Sequence, residues 1–174
     1  MKKSSILSTI AFAFIMLLST DVTAQKFASL DKSPLDISVY RTERGAPAIA
    51  KVVYSRPQLK GRDLSSLAPN GKIWRTGANE ATEVTFYKDV TFGGKAVKAG
   101  TYSLFTIPGD KEWTVILNSA TGGWGAYGYD EGNDVARVKG SVSSGEAIEA
   151  FGIAFADGKM HMAWGTTRVA VSIK

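Results

Sequence analysis

A chain of 174 residues with no cysteine and a formal charge of +5 closes several routes at once. Disulfide scaffolds, thiolate catalysis, cysteine-based zinc sites and cysteine-linked lipid anchoring all need a residue type the chain lacks. The 21 lysines and arginines are scattered, with no basic stripe interleaved with aromatics, which argues against nucleic acid as a partner.

The N-terminus reads as an address. Lys2 and Lys3 form a positive region, Ile6 to Leu18 is apolar, and Val22-Thr23-Ala24 is a small-residue cleavage pattern ahead of Gln25. The apolar run is short for a membrane span. Residues 1–24 are therefore expected to be a signal peptide, removed on export to the periplasm or the medium. No later apolar run is long enough to cross a membrane, so no membrane contact is expected after cleavage. Losing Lys2, Lys3 and Asp21 would take the formal charge from +5 to +4. About 150 residues remain, enough for one domain with a sizeable core.

Residues 25–35 carry few apolar side chains and read as a loose lead-in to a single domain over 36–174. Ile37 and Val39 alternate in a first strand, and Ile49 to Ser55 is a second, ended by Pro57. Arg56 to Gly71 reads as loop with one helical turn at Asp63 to Leu67. Strands are expected over Glu83–Tyr87, Asp89–Phe92 and Lys95–Lys98, the last two joined at Gly93-Gly94, and over Thr101–Ile107 and Glu112–Asn118. Glu112 to Asn118 has apolar residues on both faces, the mark of a central strand. Ser119 to Asn133 is a loop rich in glycine and aromatics. Val135–Lys139, Ile148–Phe155, Lys159–Trp164 and Arg168–Ile173 complete the set, with Gly140 to Gly145 as a polar linker and Asp157-Gly158 as a tight turn. About ten short strands with regular turn signals predict an all-β, antiparallel β-sandwich or jelly-roll-like domain.

The densest chemistry lies in Trp74-Arg75-Thr76-Gly77-Ala78-Asn79-Glu80-Ala81-Thr82, which brings an indole, a guanidinium, a carboxamide and a carboxylate into seven residues. Two arrangements fit it. Arg75 and Glu80 can pair as a clamp that fixes the loop, with Gly77 letting the chain fold back. Alternatively Arg75, Asn79 and Glu80 line a ligand pocket roofed by Trp74. Trp124 and Tyr127 stand among glycines in the long loop. Rings beside arginine and asparagine suit sugars or peptides, and the same rings can instead fold back as a cap. Loops at one end of a sandwich cluster, so Gly122 to Asp130 is predicted to lie beside Trp74 to Glu80, with Arg56 and Arg62 adding positive charge that favours an acidic sugar or a peptide carboxylate.

Other chemistries find little support. His161 is the lone histidine, so a zinc site would be mostly carboxylate and a Ser-His-Asp triad has no Gly-x-Ser-x-Gly elbow. Asp130, Glu131, Asn133 and Asp134 could suit calcium, yet their spacing is not that of an EF-hand and turns favour the same residues. Glu80 and Asp130 are the one carboxylate pair to nominate for glycoside hydrolysis. No metal or cofactor is expected. The preferred reading is a binding module for a small polar ligand, a carbohydrate or a peptide fragment. A carboxylate-based hydrolase and an envelope interaction domain without a small ligand are the alternatives.

Several stretches together resemble a known family: Tyr54-Ser55-Arg56-Pro57, Gly61-Arg62, Gly71-Lys72-Ile73-Trp74-Arg75-Thr76-Gly77-Ala78-Asn79-Glu80-Ala81-Thr82, Ala99-Gly100-Thr101-Tyr102-Ser103-Leu104-Phe105-Thr106-Ile107-Pro108-Gly109, Glu112-Trp113-Thr114-Val115-Ile116 and Trp124-Gly125-Ala126-Tyr127. The chain is similar to the domain of unknown function 2911 family of secreted bacterial proteins. The resemblance implies an all-β domain behind a signal peptide and implies no activity. After Gly140 no motif carries it.

Overall fold

The computed structural model describes residues 25–174, so the expected signal peptide over 1–24 lies outside the described residues. The chain divides after Leu30. Residues 25–30 are exposed and carry no regular element, and every strand belongs to the unit Asp31–Lys174.

That unit is all-β and antiparallel. Its strands are β1 (Leu35–Tyr40), β2 (Ala50–Ser55), β3 (Thr82–Phe86), β4 (Val90–Phe92), β5 (Lys95–Val97), β6 (Gly100–Ile107), β7 (Glu112–Asn118), β8 (Asp134–Ala156) and β9 (Lys159–Ser172), with one helical turn, α1 (Leu64–Leu67), between β2 and β3. Seven of them form one sheet in the order β1-β2-β3-β6-β7-β8-β9. β7 is central, as its two apolar faces predict. The small β4–β5 hairpin turns at Gly93 and Gly94, whose φ values of 54° and 88° are those a primed turn demands. It pins the C-terminus through paired backbone bonds between Thr91 and Lys174, at 2.7 and 3.0 Å.

Alternation along the strands decides which face is filled. Val52, Val84, Leu104, Val115 and Leu117 point inward and are fully buried. The sheet then curls into a half-barrel, because β8 and β9 are long enough to fold their far halves back over the rest. Phe151 meets Tyr54 edge-on at 5.8 Å, and Trp164 stacks on Trp74 at 5.6 Å. Two rows of inner side chains thus face each other across one core.

The length of β8 and β9 corrects one expectation. Gly140 to Gly145 is not a linker but part of a 23-residue strand, paired with β9 from Ser141↔Ala170 to Ser144↔Thr167. Gly140 is buried and Val142 packs on the core, while Ser141, Ser143, Ser144 and Gly145 are exposed, so sequence polarity there marks an exposed face rather than a break. Register shifts on either side of Ile148 absorb the bend.

The curl stops short of closure. Where β1 and β8 approach, side chains bond the backbone in place of a full ladder. Arg56 Nε donates to the Phe151 carbonyl at 2.8 Å, and the Ile153 amide donates to the Tyr54 hydroxyl at 3.0 Å. Tyr40 stacks on Phe155 at 5.3 Å.

Candidate functional site

The segment from Trp74 to Glu80 is drawn beside β6 by two backbone bonds, Trp74 N–H to the Thr106 carbonyl at 2.7 Å and Thr106 N–H to the Trp74 carbonyl at 2.9 Å. This one-residue bridge turns the Trp74 indole inward. It sits edge-on to Trp113 and Phe151, at 6.1 and 5.1 Å, and is buried. Trp74 is therefore a core residue of the half-barrel.

The next residues make a tight, strained knot. Thr76 is fully buried at φ 54° and Asn79 has φ 60°. A β-branched residue in the left-handed region costs on the order of 1–3 kcal/mol and persists only when its surroundings dictate it. Here they do: the Thr82 hydroxyl donates to the Thr76 carbonyl at 2.7 Å, and the Thr82 amide to the Arg75 carbonyl at 3.1 Å. A Cβ on Gly77 would lie 2.9 Å from Thr82 Oγ1 and 3.1 Å from the Ser55 carbonyl oxygen, so only glycine fits.

The long loop between β7 and β8 lies against this knot. Gly125 N–H donates to the Asn79 carbonyl and Ala81 N–H to the Gly123 carbonyl, both at 2.9 Å, which sets Glu80 opposite Trp124 in an antiparallel bridge. The Gly122 amide donates to Glu83 Oε1 at 2.8 Å. Beneath the loop, Tyr129 packs edge-on to Phe105 at 5.1 Å, within a second small apolar cluster on the outer face of the sheet that includes Ala81 and Ile116. The Tyr129 hydroxyl donates to Asp134 Oδ2 at 2.8 Å. Arg137 Nη1 donates to the same oxygen at 2.7 Å, and Asn118 Nδ2 to Asp134 Oδ1 at 2.8 Å. Burial, then the Asp134 carboxylate, pushes the Tyr129 phenol up to about 12.

Two rings stay in solvent. Trp124 is 60% exposed and Tyr127 84%, and they stack 5° from parallel with centroids 5.7 Å apart. Arg75 joins them: a Cβ on Gly125 would lie 2.9 Å from Tyr127 Cδ2 and 3.9 Å from Arg75 Nη1, so ring and guanidinium flank one glycine. Arg75 Nε is buried without a hydrogen-bond partner among the described residues. The Arg75–Glu80 clamp is not formed. Among the described residues the ion pairs involve neither side chain, and Glu80 is exposed. Next to the strap of residues 123–125, the part of the loop that bridges to Glu80, a trough of about 420 Å³ is lined by Leu35, Val53, Ala81, Glu80, Glu83 and the Gly122-Gly123 backbone, among others.

The structure thus brings Arg75, Asn79, Glu80, Trp124 and Tyr127 together and leaves the other nominated residues elsewhere. Arg56 serves the seam, bonding Phe151 and pairing with Asp36 at 3.2 Å. Arg62 ties its own loop, donating to the carbonyls of Leu59 and Gln58 at 2.9 and 2.8 Å. His161 lines a separate groove of about 320 Å³ with Asp36 and Arg56. Asp130 accepts from the Gly132 amide at 2.9 Å, a turn role. Sequence reasoning missed Leu35, Val53 and Glu83, the trough's walls. For Leu35 a signal was available: Leu35, Ile37 and Val39 are the outward residues of an alternating edge strand and remain exposed, at 65%, 54% and 40%.

The antiparallel half-barrel is the all-β fold that the sequence resemblance implies. A family model described as "Protein of unknown function (DUF2911)" matches residues 38–173, and the chain belongs to that family. Neither the curated proteins nor the solved structures give a match.

Proposed function

We propose that the protein works outside the cytoplasm as a binding module for a small polar ligand, a carbohydrate or a peptide fragment, held on the Trp124–Tyr127 shelf. The observation that carries this reading is the parallel, solvent-facing ring pair beside Arg75. Two exposed, mutually stacked rings on a loop pinned at both ends hold an outer ring face ready in solvent, and the Arg75 guanidinium, outside the ion pairs of the described residues, supplies directional donors beside it. The strained backbone at Thr76 and Asn79 fits a site held in place by its surroundings. A hydrolase would need two free carboxylates facing one bond. Glu83, the second acid of the trough, already accepts from Gly122 through Oε1.

A thermal-shift screen of oligosaccharides and short peptides tests the reading. A ligand at a hundred times its Kd stabilises the native state by about 2.7 kcal/mol, which raises Tm by roughly 5–10 °C for a domain of this size. Trp124→Ala should abolish the shift. If no sugar or peptide moves Tm, the proposal fails. Export is tested by intact-mass measurement of protein from the periplasm or medium, which should begin at Gln25. Retention of residues 1–24 would refute it.

A further inference from the structure

Resting on that reading, we infer that the ligand is a zwitterion, a short peptide with an apolar side chain, whose carboxylate meets Arg75 and whose ammonium group meets Glu80. The two residues carry opposite charges five positions apart, yet neither has an ion-pair partner among the described residues. The chain keeps them apart. Arg75 and Asn79 are held through their carbonyls, by Thr82 and Gly125, and the φ of 60° at Asn79 turns the backbone between the two charges.

Both charges border the same strap. Glu80 is the antiparallel partner of Trp124, and such pairs place their side chains on one face with Cβ atoms about 4.5–5.5 Å apart. Arg75 Nη1 lies against Gly125, the next residue along. A half-buried cation and an exposed anion on either side of a three-residue strap, unpaired with each other, match the two ends of a small zwitterion.

The trough distinguishes peptide from sugar. Leu35, Val53, Tyr54 and Ala81 give it a mostly apolar wall, Ser55, Glu80 and Glu83 are its polar side chains, and no lysine or arginine lines it. A polyhydroxylated ring seated there would find those few partners and bury its remaining hydroxyls against apolar walls, which is unfavourable. An aliphatic side chain attached to an ammonium group fits the same lining, and about 420 Å³ lies within the range of small-molecule sites.

Calorimetric titration of the mature protein with leucyl-leucine, its N-acetylated form, its C-terminal amide and digalacturonic acid tests the inference. The free dipeptide should bind, and blocking either end should weaken it about tenfold or more. Glu80→Gln should erase the preference over the acetylated form, and Tyr127→Ala should weaken every peptide. Arg75→Gln should erase the preference over the amide; should it not fold, the blocked ligands on the unaltered protein decide the same point. Equal binding of free and blocked peptides overturns the zwitterion inference while the binding-module reading stands. Binding of digalacturonic acid alone does the same in favour of an anionic sugar. Binding of none of these, with a flat thermal-shift screen, removes both.

Discussion

Replacing Asp134 by alanine should loosen the β7–β8 loop from beneath, some distance from the rings it carries. The Asp134 side chain is only 6% exposed and accepts three side-chain bonds, from Asn118, Tyr129 and Arg137, at 2.8, 2.8 and 2.7 Å. A bond to a charged group contributes about 1.5–3 kcal/mol, but the three do not add. The Arg137 side chain is 32% exposed and keeps Glu131 at 3.5 Å, so water and a second carboxylate recover part of its loss. Asn118 is buried and recovers little. The net expectation is a loss of about 2–4 kcal/mol, which corresponds to a Tm lower by roughly 5–15 °C. Urea denaturation gives the first number, with the slope unchanged. Limited proteolysis gives the second readout: cleavage between Gly122 and Gly128 should accelerate before the rest of the domain is cut. A loss under about 1 kcal/mol, or destabilisation without faster cleavage in the loop, would refute the view that this carboxylate anchors the site.

Trp74→Ala, which empties the contact among Trp113, Phe151 and Trp164, should cost about 3–5 kcal/mol in urea melts, and a small effect would show that the indole is not the core residue described here. Glu80→Ala should change stability by no more than about 0.5 kcal/mol, since Glu80 is exposed and outside the ion pairs of the described residues; a loss of several kcal/mol would restore the clamp. Folding keeps Tyr129 protonated, so the stability its raised phenol pKa provides is complete below pH 10.0, the ordinary value, and disappears as pH rises to about 12. Tyrosinate absorbance should show a late-ionising step that Tyr129→Phe removes, and the loop should become protease-sensitive across the same pH window.

Much of the fold was legible because β-structure writes its faces into alternating residues. Glu112–Asn118 emerges with the expected ends, and the Gly93-Gly94 turn and the α1 turn fall where glycine and local polarity place them. The failures have a common physical source. Ser141 to Ser144 and the Trp74 bridge take their conformation from distant partners, Thr167 to Ala170 in one case and Thr106 in the other. No local pattern announces a partner far along the chain. The site follows the same rule. Arg75, Asn79, Trp124 and Tyr127 could be nominated from side-chain chemistry and loop clustering, and they converge. Arg56 could not be placed, since its bonds to Phe151 and Asp36 depend on how the sheet curls.

The unfinished seam has a consequence for the order in which the molecule assembles. Tyr54 and Ile153 are 99 positions apart and Arg56 and Phe151 are 95, whereas neighbouring strands such as β6 and β7 or β8 and β9 meet through short turns. Contacts across so long a separation bear the greatest chain-closure entropy and are rewarded only after the intervening strands are in register. The β6–β7 and β8–β9 hairpins should therefore form early, and the docking of Phe151 and Trp164 onto Tyr54 and Trp74 should come last. Until that step, the aromatic half of the core faces water as an open sheet. Substitutions at Tyr54 or Arg56 should then speed unfolding far more than they slow folding, so that the lifetime of the folded protein is governed by two side chains at its seam.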